Sequence, residues 1–297
     1  MLEKIALIGF GEVGQTLAKN LKDAGIQDIT AWDIAFADPA SAQSMAAKKL
    51  DITIAKSMSE ALRGQSLVIA AVTAGSAETA ANEAAPLLQK KALYADVNSV
   101  SPGTKQRIGK VVEAKGARFV EVTIMSPINP RGIKSPMLIG GKNADEFISL
   151  FESLDTDMTS VEGPIGKAAA TKMCRSVMYK GMEALFLESM LSARYYGVEK
   201  EVLASLSDTL DKGWSETARY MISRTLIHGR RRAEEMREAA KTVAEAGLEP
   251  LMTERIAMRE DWAADQAAHL MGVSPNTASL DQLLDRLLRE LSHAASK

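Results

Sequence analysis

The 297-residue chain carries 46% hydrophobic and 25% charged side chains at a formal net charge of −2, the balance of a soluble globular protein of one large or two ordinary domains. Acidic and basic residues are interspersed, which excludes a broad electrostatic surface for nucleic acid or an anionic membrane and leaves a small molecule as the expected partner. The lone cysteine, Cys174, excludes an intrachain disulfide, no apolar run reaches the roughly 18 residues of a bilayer span, and His228, His269 and His293 lack metal-ligand spacing, so a cytoplasmic protein with no metal is expected.

The apolar run Lys4 to Gly9 leads into the turn GFGEVG, comprising Gly9, Phe10, Gly11, Glu12, Val13 and Gly14, and then into a helical pattern closed by Gly25. This strand, turn and helix give the glycine spacing a mechanical meaning. Gly9 makes the turn, Gly11 lets the backbone approach a pyrophosphate, and Gly14 allows helix to pack on strand. The helix start then offers N–H groups and a positive dipole end to phosphates. A second strand, Asp28 to Trp32, ends in Asp33, close to the expected position about 20 residues on for a carboxylate that binds adenosine ribose hydroxyls and repels a 2′-phosphate. These residues point to NAD as the preferred cofactor, with NADP possible.

Strands near 52–54, 67–71, 93–96 and 118–124 alternate with helices near 41–49, 57–62, 78–88 and 103–115, which predicts a parallel sheet. Ligands of such sheets lie beyond the carboxyl ends of the strands, so Val72, Thr73 and Ala74, and Asn98 and Ser99, are candidates to flank the nicotinamide, against a plainer reading as turn and capping residues. The loop MSPINPRGIKSP, which includes Ser126, holds three prolines and is expected to be a stiff wall of a substrate site. A strand at 137–140, a helix at 145–154 and a strand at 158–161 complete the first domain.

From Gly163 to about Gly197 runs a long helical pattern, apolar on most of its circumference and therefore expected to be buried between two bodies of protein. Residues three and four apart place Lys172, Ser176, Tyr179 and Glu183 on one polar stripe, with Lys180 beside them. A lysine so placed suits general acid–base work if its pKa is lowered by burial and by Lys180; the plainer reading is a Lys180–Glu183 ion pair with Lys172 extending to solvent. Cys174 reads as core packing. The fold class is thus α/β: a doubly wound sheet of Rossmann type over residues 1–162, then the long interdomain helix and an all-α domain over residues 163–297.

Three features in one order, Gly9, Gly11 and Gly14 with Asp33, the loop DVNSVSP from Asp96, and GPIGKAAATKMCRS from Gly163, resemble the β-hydroxyacid dehydrogenase superfamily, which includes 3-hydroxyisobutyrate and 6-phosphogluconate dehydrogenases. The resemblance spans about residues 2–196 and implies an NAD(P)-dependent oxidoreductase acting on a small hydroxy acid or related alcohol or aldehyde. The family's Gly-x-x-Gly and Lys-x-x-x-Asn fall on Gly163, Gly166 and Lys172, which makes Lys172 the implied general acid/base. Ser176 stands where the family has Asn, and the family's carboxylate-binding loop Asp-Ala-Pro-Val-Ser-Gly-Gly reads Glu121 to Pro127 here. Ser126, Ser176 and Lys180 are the expected substrate-binding residues. An imine reductase on the same architecture, or a non-catalytic dinucleotide sensor, are the alternatives.

Beyond Glu199 the pattern is helical throughout, with helices expected at 199–210, 215–226, 230–246, 252–270 and 280–291, broken at glycines and prolines that include Gly229. Its apolar faces predict a homodimer. Arg230, Arg231 and Arg232 read as a solvated face paired with Glu234 and Glu235, or alternatively as a site where His228 and Arg231 reach an acidic substrate. Trp214 and Trp262 read as core or dimer packing.

Overall fold

The computed structural model describes residues 4–209, 213–247, 249–270 and 272–294. In chain order these form β1 (Lys4–Ile8), α1 (Glu12–Asp23), β2 (Asp28–Trp32), α2 (Ala42–Lys49), β3 (Thr53–Ile54), α3 (Met58–Leu62), β4 (Leu67–Ala70), α4 (Ala77–Ala84), β5 (Leu93–Asp96), α5 (Pro102–Ala114), β6 (Arg118–Ile124), β7 (Met137–Gly140), α6 (Ala144–Leu150) and β8 (Met158–Val161). Helices α7 (Lys167–Tyr196), α8 (Glu199–Thr209), α9 (Trp214–Glu245), α10 (Leu251–Ala267) and α11 (Leu280–Ala294) follow. The expected end of α8 at Leu210 lies outside the described residues. Among the described residues no helix is long and apolar enough to cross a membrane. The chain divides into two compact units within α7, between Met173 and Cys174.

The first unit is a sheet of order β3-β2-β1-β4-β5-β6-β7-β8, parallel throughout except for the antiparallel β6–β7 pair. Its inner strands are mostly apolar because helices cover both faces, with Asp96 of β5 and Glu121 of β6 as buried charged exceptions. Alternate side chains separate cleanly. Ile5, Leu7, Leu67, Ile69 and Val122 meet Leu17 and Leu21 of α1 and Phe147 of α6, while Ala6, Ile8, Val68, Tyr94 and Phe119 meet Leu62 of α3, Ala81 of α4 and Ile108 and Val112 of α5. Each Leu or Ile fully buried in this way stabilises the unit by about 1.5–3 kcal/mol. Strand order reverses between β1 and β4, which opens a crevice at their carboxyl ends.

The second unit packs the rest of α7 with α8 to α11 around Phe186, Leu187, Met190, Ile222, Leu226, Leu283, Leu284 and Leu287. Trp214 stacks on Phe186 with ring centroids 5.1 Å apart, and Trp262 is partly buried against the same core, as expected of both. Three expectations are corrected here. Gly229 does not break a helix; α9 runs through it unbroken. A Cβ at Gly229 would stand 2.4 Å from the Glu260 carbonyl oxygen, so the glycine is what lets α10 lie against α9, and this packing outweighs a helix penalty of about 1 kcal/mol. Nor is α7 buried all round, because Met178 and Leu185 are more than half exposed and Cys174 is exposed rather than in the core.

Candidate active site

The crevice is built from the turns that leave β1, β2, β4, β5 and β6. After β1, Gly9 takes φ +93°, and a Cβ there would lie 2.3 Å from the Ala71 carbonyl oxygen. A Cβ at Gly14 would lie 2.3 Å from the Gly9 carbonyl oxygen, so neither position admits a larger residue. Gly11 differs: a Cβ there would meet no heavy atom within 4 Å, and this N-cap of α1 makes no side-chain capping bond. The start of α1 therefore opens onto free space, which fits a pyrophosphate drawn by N–H groups and the helix dipole. Phe10 is fully buried against Phe36, Val13 is partly buried on the core, and the Glu12 carboxylate accepts a bond of 3.1 Å from the Asn129 amide.

Asp33 ties this turn to β2. One carboxylate oxygen accepts the Phe10 N–H at 2.6 Å and the other the Ala35 N–H at 2.8 Å. Each oxygen keeps a lone pair for a ribose hydroxyl. The segment that follows, Ile34–Ala37, contains no basic residue to meet a 2′-phosphate.

Beyond β4 and β5 the geometry is set by a buried network that residue spacing did not reveal. The Val72 N–H donates to Asn98 Oδ1 at 2.7 Å, and the Asn98 backbone and side-chain amides donate to the two Asp96 oxygens at 3.0 and 3.1 Å. Lys105 of α5, fully buried like Asp96, donates to Asp96 Oδ1 at 2.5 Å and to the Asp96 carbonyl at 2.7 Å. Asn98 thus spends its side chain on holding the β4 and β5 turns together. The available signal was a lysine on the apolar stripe of α5, between Thr104, Ile108 and Val112. Thr73 donates its hydroxyl to Ser76 at 3.0 Å.

Lys172 enters the crevice from α7, where its ammonium donates to Ser99 Oγ at 2.6 Å. The helix begins after two glycines in the left-handed region, Gly163 at φ +126° and Gly166 at φ +102°. Glu121 of β6, fully buried, accepts the Gly166 N–H and the Ala169 N–H at 2.6 Å each. The loop after β6 is fastened to α1: Asn129 bonds Glu12, and Ile133 N–H donates to Asn20 Oδ1 at 3.0 Å. Ser126 turns its hydroxyl to the Pro127 carbonyl at 3.2 Å.

The remaining expected residues lie in the second unit. Lys180 is buried and donates to Ser176 Oγ at 3.3 Å, but its ion partner is Glu235 of α9 at 2.9 Å. Glu183 pairs instead with both terminal nitrogens of Arg232, one at 2.8 Å, so the expected Lys180–Glu183 pair is absent. Arg232 is accordingly buried, contrary to a solvated arginine run, whereas Arg230 reaches Asp261 and Asp265 of α10, and Arg231 reaches Glu235. Tyr179 is 52% exposed, beneath the Arg175 guanidinium at 4.7 Å, and leaves the polar stripe. His228 Nε2 lies 2.9 Å from Arg224. Glu260 is fully buried and, among the described residues, neither of its carboxylate oxygens has a hydrogen-bond partner; burial raises its pKa to about 7 against the pull of Arg232 and Lys180.

Residues 4–129 match the NAD-binding domain of 6-phosphogluconate dehydrogenase, and residues 193–262 match a domain of unknown function, DUF1932. An uncharacterised 28.5 kDa protein of Methanothermus fervidus is 31% identical over 84% of this chain and 94% of its own length. Human mitochondrial 3-hydroxyisobutyrate dehydrogenase is 24% identical over 68% of this chain and 60% of its own length. The crystal structure of a conserved hypothetical protein from Sinorhizobium meliloti 1021 superposes with a TM-score of 0.76 at 32% identity, covering 97% of each chain.

Proposed function

We propose, for a chain that belongs to the 6-phosphogluconate and 3-hydroxyisobutyrate dehydrogenase-like superfamily with an all-α C-terminal domain, an NAD-dependent dehydrogenase acting on a small hydroxy acid or related alcohol or aldehyde. Residues 1–162 form its cofactor domain and residues 163–297 its substrate and dimerisation domain, and it works as a cytoplasmic homodimer. The observation that carries the reading is the 2.6 Å bond between Lys172 and Ser99, which puts an ionisable amine at the carboxyl end of β5, on the sheet edge that carries the open glycine turn.

Gly9, Phe10, Gly11, Glu12, Val13 and Gly14 would hold the pyrophosphate, Asp33 the adenosine ribose, and Val72, Thr73, Asn98 and Ser99 would flank the nicotinamide. The cofactor, when bound, supplies the hydride acceptor for oxidation and the donor for reduction. Asp33 and the absence of a basic residue in Ile34–Ala37 favour NAD over NADP. Lys172, as the free amine, takes the substrate hydroxyl proton during oxidation, and as the ammonium returns it to the carbonyl oxygen during reduction. Ser126, Ser176 and Lys180 orient the substrate oxygen and carboxylate.

The test is NAD and NADP reduction by wild type and Lys172→Ala over a panel of 3-hydroxy acids, sugar acids and polyols near pH 9. Loss of the acid–base group is expected to lower kcat by about 10²–10⁴-fold while NADH still binds. Equal turnover in both proteins would remove Lys172 from the chemistry. Turnover of imines alone would replace the substrate class, and cofactor binding with no turnover would leave a dinucleotide sensor.

A further inference from the structure

Glu121 is fully buried in the middle of β6 and meets no cation in any bond described above; its two oxygens take the Gly166 and Ala169 N–H groups at 2.6 Å each. A carboxylate is rarely buried unless its charge is answered, and here a helix start answers it, with N–H groups that lack intrahelical partners and a positive dipole end. The surroundings are shaped for this one arrangement. A Cβ at Gly140 of β7 would stand 2.8 Å from Glu121 Oε2, and a Cβ at Gly166 would press on Pro102 of α5 at 3.1 Å. The glycines leave room for the carboxylate on one side and for the turn it binds on the other. Ala169 is three residues before Lys172, less than one helical turn, so the anchor and the amine move as one piece.

We infer that Glu121 is the positioning residue of the site, fixing the first turn of α7 to the sheet so that Lys172 meets Ser99 and the substrate oxygen. This rests on the dehydrogenase reading for its catalytic consequence, but not for the geometry it asserts. Lys172 is then held at two points that share one framework: through Ser99 to β5, and through Ala169 and Glu121 to β6, the strand hydrogen-bonded to β5. A near-attack arrangement tolerates little displacement, and about 1 Å of misplacement is enough to cost on the order of a hundredfold in rate. In Glu121→Gln one of the two facing N–H groups would confront an amide NH₂, a donor against a donor. In Glu121→Asp the charge stays, but the shorter side chain reaches only one of them.

The experiment uses the full chain as wild type, Glu121→Gln, Glu121→Asp and Lys172→Ala. It reads the NADH Kd, kcat and KM on the alcohol the wild type oxidises best, and the rate at which acetic anhydride labels Lys172, by peptide mass spectrometry with exposed Lys4 as internal standard. The expected result for Glu121→Gln is a kcat at least tenfold lower, an NADH Kd within twofold, and Lys172 labelling at least threefold faster relative to Lys4; Glu121→Asp falls between. Folded variants with kcat and labelling within twofold of wild type would overturn the inference, and so would loss of folding in both, which would make Glu121 a fold determinant alone. If only the Asp variant folds, intermediate values support the inference and wild-type values overturn it. If wild type turns over no alcohol, the dehydrogenase reading fails, and the labelling ratio alone decides the role of Glu121.

Discussion

Asp96 and Glu121 in the sheet unit are fully buried and each of their oxygens accepts a hydrogen bond, whereas Glu260 in the helical unit is just as deeply buried and, among the described residues, neither of its oxygens accepts one. The difference follows from where spare backbone donors occur. The turns that leave parallel strands and the start of a helix present N–H groups with no partner in secondary structure, and Asn98, Gly166 and Ala169 supply them. Glu260 lies mid-way along α10 beside the middle of α9, where backbone N–H groups are already spent within the helices. Buried charge in that unit must be answered by other side chains, and the two cations that act on Glu260, Arg232 and Lys180, are bonded to Glu183 and Glu235 instead.

The largest effect should come from breaking the satisfied side of this contrast. Lys105→Met strands Asp96 without its cation, and the loss of stability is expected to be about 3–5 kcal/mol in urea unfolding, much of it restored in the double variant with Asp96→Asn. An additive or worsened double variant would mean that the pair is not the source. Glu260→Gln attacks the unsatisfied side. With a folded pKa of about 7 against 4.5 for a free carboxyl, the neutral form stabilises the fold fully below about pH 4.5, and that stability is lost as pH rises through about 7. The Gln variant should therefore match wild type near pH 4.5 and exceed it by up to about 3 kcal/mol at pH 8.5, in the direction set by burial, with Arg232, Lys180, Glu235 and Asp261 as the facing charges. A difference that does not change with pH would show that Glu260 keeps an ordinary pKa. The smallest effect is expected at the exposed Arg230, which pairs with Asp261 and Asp265: Arg230→Ala should leave the urea midpoint nearly unchanged, and the difference should shrink further in high salt.

What was legible in the sequence was what the backbone dictates. A turn that demands φ > 0, or two chains of atoms that come too close for a Cβ, leaves a glycine at a fixed place, and so Gly9, Gly14, Gly163 and Gly166 mark the crevice and the start of α7. Strand and helix order follow from apolar periodicity in the same way. The partners of buried charges were not legible, because Glu183 and Arg232 are 49 residues apart and helical spacing reports only neighbours on one element. Gly229 misled for a related reason: a glycine inside a helical pattern reads alike whether it ends the helix or admits a second one. Cys174, Met178 and Leu185 show that a helix can be apolar around most of its surface and still expose one face.

The loop between β6 and β7 has a practical consequence for anyone wishing to exchange it for that of a relative. Asn129 is bonded to Glu12 and Ile133 to Asn20, and a Cβ at Gly132 would overlap Asn20 Oδ1 at 1.9 Å. The loop and one side of α1 are therefore a single interlocking part. A graft from a relative that exchanges residues 125–136 alone would leave Asn20 pressed against a foreign backbone, so a transplant has to carry positions 12 and 20 of α1 along with it.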